Sequence, residues 1–401
     1  MAKEVYKSLD ELGISWSDID KAISLSENWL LNSGIQNMHN RPKLYGSFNS
    51  WYDKDLKIYP YIYSEVTGYG ITLFLYLNNL SKDDKCLTSA VAAANWLLKY
   101  AFEESSNTMK FRFYYHIDDF SPRHAYTFDT GIIINGFINL YKETKDELLL
   151  NKSVNMATWV TDVMQRKDGE FLSFYDIDDN IRLLSPDRWS KRPGAYHAKM
   201  CFCLLRLYDI LREEKYLKAA KQICNWALNQ QLEDGRFLSI SEENITNAHP
   251  HCYGIEGILY AGIYLNEEEY IKNAIKGIVW LLDKQLPNGG VPSEFIGDSP
   301  VLKERCDALA QMIRLSLIIL DMKKLSEKYI PSIAKMIKRL LEFQCQESDP
   351  SAKGGFYYII DSNRNKVNHI NSWATMFALQ ALCMLKQMTN KKEKFDINYF
   401  V

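Results

Sequence analysis

The chain has 401 residues, with 48 lysines and arginines against 50 aspartates and glutamates, so its formal net charge is −2. This balance excludes a basic nucleic-acid groove as the first interpretation, because phosphate binding requires a surplus of positive side chains on one face. Apolar residues make up 47% and charged residues 24%, as in ordered globular proteins. With only 19 glycines and 11 prolines, an all-β fold with many tight turns is disfavoured.

Targeting segments, membrane helices and cysteine spacing indicate the cellular compartment. The first residues are charged and hold no apolar segment of signal-peptide length, and no apolar run approaches the roughly 18 residues that a membrane helix needs. The eight cysteines show no CxxC spacing, which indicates free buried thiols in a reducing compartment. We therefore expect a cytoplasmic protein without membrane insertion.

One phrase recurs along the chain and predicts its organisation. It consists of a helix that ends near a Trp or Leu, a Gln a few residues later, and then a Gly close to an aromatic or apolar residue. It occurs at Trp29, Gln36 and Gly46; at Trp159, Gln165 and Gly169; at Trp226, Gln231 and Gly235; at Trp280, Gln285 and Gly289; and at Leu341, Gln344 and Gly354. A unit around Trp96 lacks the Gly. The spacing between phrases accommodates two helices and a loop.

A second helix follows each phrase, and its apolar residues run almost all round, which is typical of a helix buried on most sides. These inner helices are predicted at Glu65–Leu80, Phe128–Lys142, Tyr196–Leu211, Cys252–Leu265, Arg305–Leu320 and Asn371–Lys386. The helices that precede them, such as Glu214–Asn229 and Glu267–Lys284, are amphipathic and belong to an outer layer.

Twelve such helices form six hairpins that can close into a ring. The sequence thus predicts an all-α (α/α)6 toroid with short β-hairpins in its loops. We expect one domain over residues 1–401, with the repeats from about 16 to 388 and short extensions at either end. The inner helices of the ring are parallel, so that their N-termini open at one mouth. An open helical solenoid that binds proteins is the alternative.

Polar and ionisable residues cluster where the inner helices begin. Each could be a helix cap or a structural histidine, but together around one mouth they predict a functional site. The catalytic candidates are Glu65, Asp129, His197, His251, Glu256 and His369. The candidates for substrate binding are Tyr69, Arg192, Tyr196, Lys199, His249, Tyr253, Arg305, Asp307, Gln311, Asn371 and Trp373.

The recurring phrase and the twelve-helix pattern resemble the six-hairpin toroid superfamily, from about Trp16 to Met388. That group includes six-hairpin glycosidase-like enzymes, polysaccharide lyases, sugar 2-epimerases, terpenoid cyclases and protein prenyltransferase β subunits. The resemblance is specific for architecture and does not choose a reaction, because function in shared folds resides in the site.

Two motifs test the isoprenoid branch of that group. Asp176-Ile-Asp-Asp179 resembles the Asp-x-Asp-Asp acid of class II terpenoid cyclases, but the sequence around it predicts two strands with this motif at an exposed tip. Cys306-Asp307 and His369 lie where protein prenyltransferases hold zinc, yet neighbouring helix residues point about 100° apart, so that we expect no metal. Nucleotide-binding loops are missing from the sequence as well, and no cofactor is expected.

We favour a carbohydrate-active enzyme of the hydrolase, lyase or epimerase type, acting on a sugar or oligosaccharide. A mouth that mixes carboxylates, imidazoles, Tyr and Trp suits sugar faces, hydroxyls and acid–base chemistry. Arg192 and Arg305 could hold a uronate or a phosphate. An isoprenoid-handling enzyme and a non-catalytic binding protein are the alternatives. The substrate, the reaction and the oligomeric state stay open.

The segment from Ala248 to Glu256 carries the most specific expectation. A helix that begins near Cys252 places His251 at its cap, facing the mouth, with Glu256 about one turn further on. The carboxylate would then orient the imidazole and raise its pKa towards neutrality, as a general acid–base requires.

Overall fold

The computed structural model describes residues 2–39, 41–183, 188–389 and 395–401. Its helices alternate between an inner and an outer layer after a short first helix, α1 Ala2–Glu11. The outer helices are α2 Trp16–Asn32, α4 Asp84–Trp96, α6 Glu147–Trp159, α8 Glu214–Asn229, α10 Glu268–Asp283 and α12 Ile330–Glu342. The inner helices are α3 Ser64–Ser81, α5 Thr127–Thr144, α7 Cys201–Leu211, α9 Ala248–Leu265, α11 Cys306–Asp321 and α13 Ser372–Thr389.

The inner helices form a closed ring. Each contacts the next along the chain, and α13 returns to contact α3. The outer helix α2 packs against α13, so that the start of the chain completes the last hairpin. The predicted all-α toroid is confirmed, and the open solenoid is wrong.

Short strands build the mouth of the ring, because most inner helices are entered directly from a strand. The strands are β1 Trp51–Asp53, β2 Ile62–Tyr63, β3 Phe102–Glu103, β4 Thr108–Met109, β5 Arg112–Tyr114, β6 Asp119–Phe120, β7 His124–Tyr126, β8 Phe174–Asp176, β9 Ile181–Leu183, β10 Ile245–Asn247, β11 Pro292–Ile296, β12 Ser299–Arg305, β13 Phe356–Tyr357, β14 Ile359–Ile360 and β15 His369–Asn371. Strands β2, β7, β10, β12 and β15 precede inner helices, whereas α7 follows a 3₁₀ segment, Ala195–Met200. All strand pairs are antiparallel within the described residues, and β1 pairs with β15, which links the first hairpin to the last.

The recurring glutamine joins neighbouring hairpins. In Gln231, Nε2 donates to the carbonyl oxygen of Gly235 at 2.7 Å and to that of Asn273, in the next outer helix, at 3.0 Å. The equivalent glutamines of four other phrases make the same pair of bonds, each to its own glycine and to the next outer helix. These are Gln36 with Gly46 and Ser89, Gln165 with Gly169 and Ala219, Gln285 with Gly289 and Ser332, and Gln344 with Gly354 and Ala22.

The glycine of the phrase is required by the same contact. Gly235 has φ +103°, a conformation that side chains rarely adopt, and a Cβ there would lie 2.7 Å from the carbonyl oxygen of Lys276. Gly169 has φ +100° and would meet the carbonyl oxygen of Gln222 at 2.4 Å. The backbone of the turn therefore lies directly against the next outer helix.

Two predicted helix starts need correction. The helix α9 begins at Ala248 rather than near Cys252, because Pro250 falls within the first turn, where no intrahelical donor is needed. Residues 195–200 form a 3₁₀ segment rather than the first turn of an α-helix. No helix in the described ranges is both long and apolar enough to span a membrane. The extent of a single domain over 1–401 stays a prediction.

Residues 395–401 close the end of the ring opposite the mouth. Arg206 donates to the carbonyl oxygen of Asn398 at 2.8 Å, and Gln380 donates to that of Tyr399 at 2.7 Å. Phe400 is buried against Phe202. This segment fills the far end of the ring. The cavity described below lies at the other end, where the inner helices begin.

We expect the Gln231→Ala variant to lose about 1–3 kcal/mol of unfolding free energy, because the carbonyl groups of Gly235 and Asn273 lose their donor at a partly buried contact. The matched control is Gln230→Ala, since the exposed neighbouring side chain makes no hydrogen bond within the described residues. Urea unfolding followed by circular dichroism measures both. Equal midpoints for the two variants would show that the glutamine does not hold the hairpins together.

Candidate functional site

A cavity of about 430 Å³ lies at the mouth of the ring. Each of the six inner helices, or the segment directly before it, contributes to the wall. The predicted site residues that line it are Glu65, Asp129, Tyr196, His249, Tyr253, Arg305 and Trp373. Their common position follows from the fold, because parallel inner helices bring their first turns to one end.

Glu65 and Asp129 form a carboxyl pair on one wall. Burial raises the pKa of Glu65 to about 7. Burial and the charge of Glu65 raise the pKa of Asp129 well above its ordinary value, and Asp129 Oδ2 is buried without a hydrogen-bond partner in the described part of the chain. The Tyr63 hydroxyl lies next to both carboxyls and lowers both pKa values in part. The pair can thus hold a proton near neutral pH.

Arg112 lies on the same wall, stacked on aromatic rings. Its guanidinium is 4.6 Å from the ring centre of Tyr61 and 5.3 Å from that of Tyr63. The register of β2 and β5 explains this position, because Tyr63 pairs directly with Arg112. The positive charge lowers the pKa of Glu65 and Asp129, although burial outweighs it.

His249 lies on another wall with a fixed ring orientation. Its Nδ1 is 2.7 Å from Gln311 Oε1 and 3.5 Å from Asp307 Oδ2. Because a carboxylate can only accept, Nδ1 carries the hydrogen and Nε2 keeps its lone pair. Burial lowers the pKa of His249 to about 3, so that the imidazole is neutral at pH 7 and able to accept a proton.

Asp307 organises this second wall from beneath. It accepts from Arg305 Nε at 3.0 Å, from the Trp373 indole at 2.9 Å and from the backbone N–H of Ala308 at 2.8 Å. Burial alone would raise the pKa of this carboxyl, but the adjacent charge of Arg305 holds it well below its usual range. Asp307 is therefore an anion that positions three lining side chains and does not itself line the cavity.

An ion cluster lies beneath the cavity among the inner helices. Glu256 accepts from Lys199 Nζ at 2.8 Å and from Arg314 Nη2 at 3.0 Å, and all three side chains are fully buried. Burial lowers the pKa of Lys199 to about 8. Above Lys199, Tyr69 donates a hydrogen bond of 2.9 Å to Tyr253.

The predicted pairing of Glu256 with His251 is wrong. The imidazole Nδ1 of His251 accepts from the backbone N–H of Phe237 at 3.1 Å, and Nε2 lies 3.1 Å from the carbonyl oxygen of Gly277. Burial lowers its pKa to about 4 rather than raising it. Because α9 begins at Ala248, His251 faces the outer layer instead of the mouth. It links a loop to the outer helix α10.

Several other candidates lie away from the cavity. His197 is fully buried with neither ring nitrogen bonded within the described residues, and burial lowers its pKa to about 3. His369 stacks on Trp51 with ring centres 5.0 Å apart, outside the cavity wall. Asn371 caps α13 by accepting from the N–H of Ala374. Arg192 pairs with Glu242 on a neighbouring pocket.

The isoprenoid motifs are placed as follows. Asp176 ends strand β8 and the turn leads into β9, as predicted, and Asp178 is 56% exposed while paired with Arg123. Cys306 is fully buried, and burial raises the pKa of its thiol. Among the described residues, no three His, Cys, Asp or Glu side chains come together as a metal site. The eight cysteines are buried and unpaired.

Sequence reasoning missed the part of the wall that comes from strands and loops. These lining residues include Tyr61, Tyr63, Arg112, Tyr126, Trp189 and Tyr358. A signal was present for some, because Tyr63 and Tyr126 are the residues directly before α3 and α5. No sequence pattern marked Arg112 or Trp189, because strand pairing and loop folding bring them to the cavity.

We expect the Glu65→Gln variant to be more stable than the parent protein at pH 8, by up to about 3 kcal/mol, and equally stable at pH 4. The folded state holds a proton on Glu65 that the unfolded chain releases above about pH 4.5, so this carboxyl destabilises the fold progressively between pH 4.5 and 7. Urea unfolding at several pH values tests this, with the exposed Glu233→Gln as control. A stability difference that does not change with pH would contradict it.

In the buried ion cluster, we expect Glu256→Gln to cost about 3–5 kcal/mol of unfolding free energy, because it leaves two cations without an anion. Lys199→Met should cost less, since Arg314 and Glu256 remain paired. Chemical unfolding of both variants at pH 7 gives the comparison. The reverse order of stability would show that Glu256 does not balance the cluster.

We compared the sequence and the structure with those of known proteins. No protein-family profile and no curated protein sequence matches the chain. Among solved structures, it is similar to a cellobiose 2-epimerase from Bacillus thermoamylovorans B4167, with a TM-score of 0.74, 12% identity, and coverage of 90% of this chain and 99% of that one. A sugar epimerase from a ruminal bacterium gives a TM-score of 0.76 at 11% identity, over 92% of this chain and 98% of that one. An unsaturated glucuronyl hydrolase specific for heparin gives 0.68 at 14% identity, over 95% and 100% of the two chains. The chain thus has the same (α/α)6 toroid fold as these solved structures.

Proposed function

We propose that this protein is a carbohydrate-active enzyme that binds a sugar or oligosaccharide at the mouth of the toroid. The observation that carries the proposal is one cavity with a proton-holding carboxyl pair on one wall and a neutral imidazole on another. Solved structures with this fold include sugar epimerases and hydrolases, which supports the same substrate class. The substrate is a small molecule, and nothing in the charge balance favours nucleic acid.

Binding would use the aromatic and cationic parts of the wall. Trp189, Tyr61 and Tyr358 offer ring faces or edges to the C–H surfaces of a pyranose. Arg112 and Arg305 offer donors to hydroxyl or carboxylate oxygens. Arg305 is held in place by Asp307, so its geometry is set before substrate arrives.

Acid–base chemistry would be divided between the walls. The carboxyl pair holds a proton near neutral pH, so Glu65 or Asp129 can donate to a sugar oxygen. His249 is neutral and keeps Nε2 free of hydrogen, so it can accept a proton. Removal of a proton at one wall and its delivery at another is what epimerisation and elimination require. Hydrolysis would instead use Glu65 and Asp129 as the two carboxyl groups that flank one bond.

A panel of neutral and uronate-containing disaccharides and oligosaccharides, read by mass spectrometry and NMR, tests the proposal. Epimerisation leaves the mass unchanged and alters the sugar signals, elimination creates an unsaturated end, and hydrolysis adds water. We expect Asp129→Asn, Glu65→Gln and His249→Gln to lower kcat by at least about 100-fold, since each removes an acid–base group.

Two controls share chemistry but not position. Asp178→Asn changes an exposed carboxylate at a hairpin tip, and an unchanged rate there would remove the remaining motif argument for a terpenoid cyclase. His251→Gln changes a histidine outside the cavity and should retain activity in the folded protein. No turnover on any glycan, or wild-type rates in all three cavity variants, would overturn the proposal.

A further inference from the structure

A second pocket adjoins the cavity at the mouth of the ring, and the proposed acid–base chemistry does not use it. It encloses about 570 Å³ beside the C-terminal turn of α8. One side is formed by residues 191–195, and the other by the end of α8 and residues 231–242. We call it the α8 pocket; the lining residues used below are Lys191, Arg192, Trp226, Asn229, Gln230 and Glu242.

The two cavities are neighbours on one face of the ring. Lys191 lines both, and the segment that follows it, up to Tyr196, separates them. A small gap lined by Trp189 and Tyr196 on the side of the main cavity, and by Leu238 and Ser239 on the side of the α8 pocket, lies between the two. The main cavity and the α8 pocket therefore adjoin at Lys191.

Trp226 differs from its counterparts in the repeat. Trp29, Trp96, Trp159 and Trp280 are buried, with at most 6% of each residue exposed. The indole N–H groups of Trp29 and Trp96 donate to backbone carbonyls of neighbouring loops. Trp226 is only partly buried and lines the α8 pocket. The repeat supplies a tryptophan here, and the fold leaves it open to a ligand.

The rest of the pocket has the chemistry that sugars need. The exposed amide side chains of Asn229 and Gln230 offer donors and acceptors next to the indole. The ion pair of Arg192 with Glu242, at 2.8 Å, fixes charged hydrogen-bonding groups at the rim. The pocket volume lies in the range of small-molecule sites.

We propose that the α8 pocket is a second saccharide-binding site, which holds the third and later units of an oligosaccharide whose first two units lie in the main cavity. The inference rests on the proposed function for its reaction, but the pocket itself can be tested by binding. Trp226 would stack on one unit while Asn229 and Gln230 bond its hydroxyl groups. The site predicts that affinity rises with chain length.

The rate experiment compares disaccharides and tetrasaccharides of the cello- and manno-series on the full-length protein. We expect kcat/KM to be about tenfold higher for the tetrasaccharide, which corresponds to one good stacking contact. Trp226→Leu should remove this advantage and leave the disaccharide rate within about twofold, whereas Trp226→Phe should retain most of it. Trp16→Leu, an exposed tryptophan at 40% exposure in another helix, is the matched control.

Isothermal titration calorimetry with the same tetrasaccharides gives a readout that does not depend on turnover. We expect Trp226→Leu to weaken binding about tenfold, with thermal unfolding showing that the variant is folded. Turnover without dependence on chain length, or equal loss for short and long substrates, overturns the second site and leaves the proposed function standing. Binding that depends on Trp226 without turnover supports the site and overturns the reaction. Neither binding nor turnover overturns both.

Discussion

The toroid depends on one repeated contact, the carboxamide of a glutamine that bonds two backbone carbonyls at once. One carbonyl belongs to the glycine turn that follows the glutamine, and the other to the next outer helix. Because a primary amide has two N–H donors, one side chain satisfies both acceptors and fixes the distance between hairpins. Gln344 makes this contact with Ala22, so α12, the last outer helix, is joined to α2, the first, by the same device. Ring closure thus repeats a contact found at four other junctions, and the pairing of β1 with β15 adds to it.

The closed ring explains why the polar groups converge. Inner helices that are parallel begin at one end, and the strand or turn before each carries its own side chains to the same place. The cost is a set of charged groups among apolar helices. Glu256 offsets this cost beneath the cavity by pairing with Lys199 and Arg314, and Asp307 does so beside it by pairing with Arg305. Glu65 and Asp129 form no salt bridge among the described residues, and burial keeps their pKa values high.

The sequence was sufficient for the architecture because the repeat has a direct structural meaning. The Gln and Gly of each phrase contact the next hairpin, and the apolar inner helices could be placed within a few residues. The site was less accessible. His249 and His251 flank one proline, and the sequence favoured His251 as the acid–base residue. With α9 beginning at Ala248, both histidines lie in its first turn, where His249 lines the cavity and His251 bonds the outer layer. Arg112 and Trp189 reach the cavity through strand pairing and loop folding, which periodicity does not reveal.

The same histidines show how a repeat protein separates stability from function. Both imidazoles are buried and neutral at pH 7, and both bond fixed partners. The partners of His251 are a backbone N–H and a backbone carbonyl, so that both of its ring nitrogens are engaged. This side chain can therefore only link a loop to the outer helix layer. The partners of His249 are the side chains of Gln311 and Asp307, and both contact the same ring nitrogen. One nitrogen of His249 is thereby left for a substrate, and this difference in partners, rather than burial or pKa, distinguishes a candidate base from a structural residue.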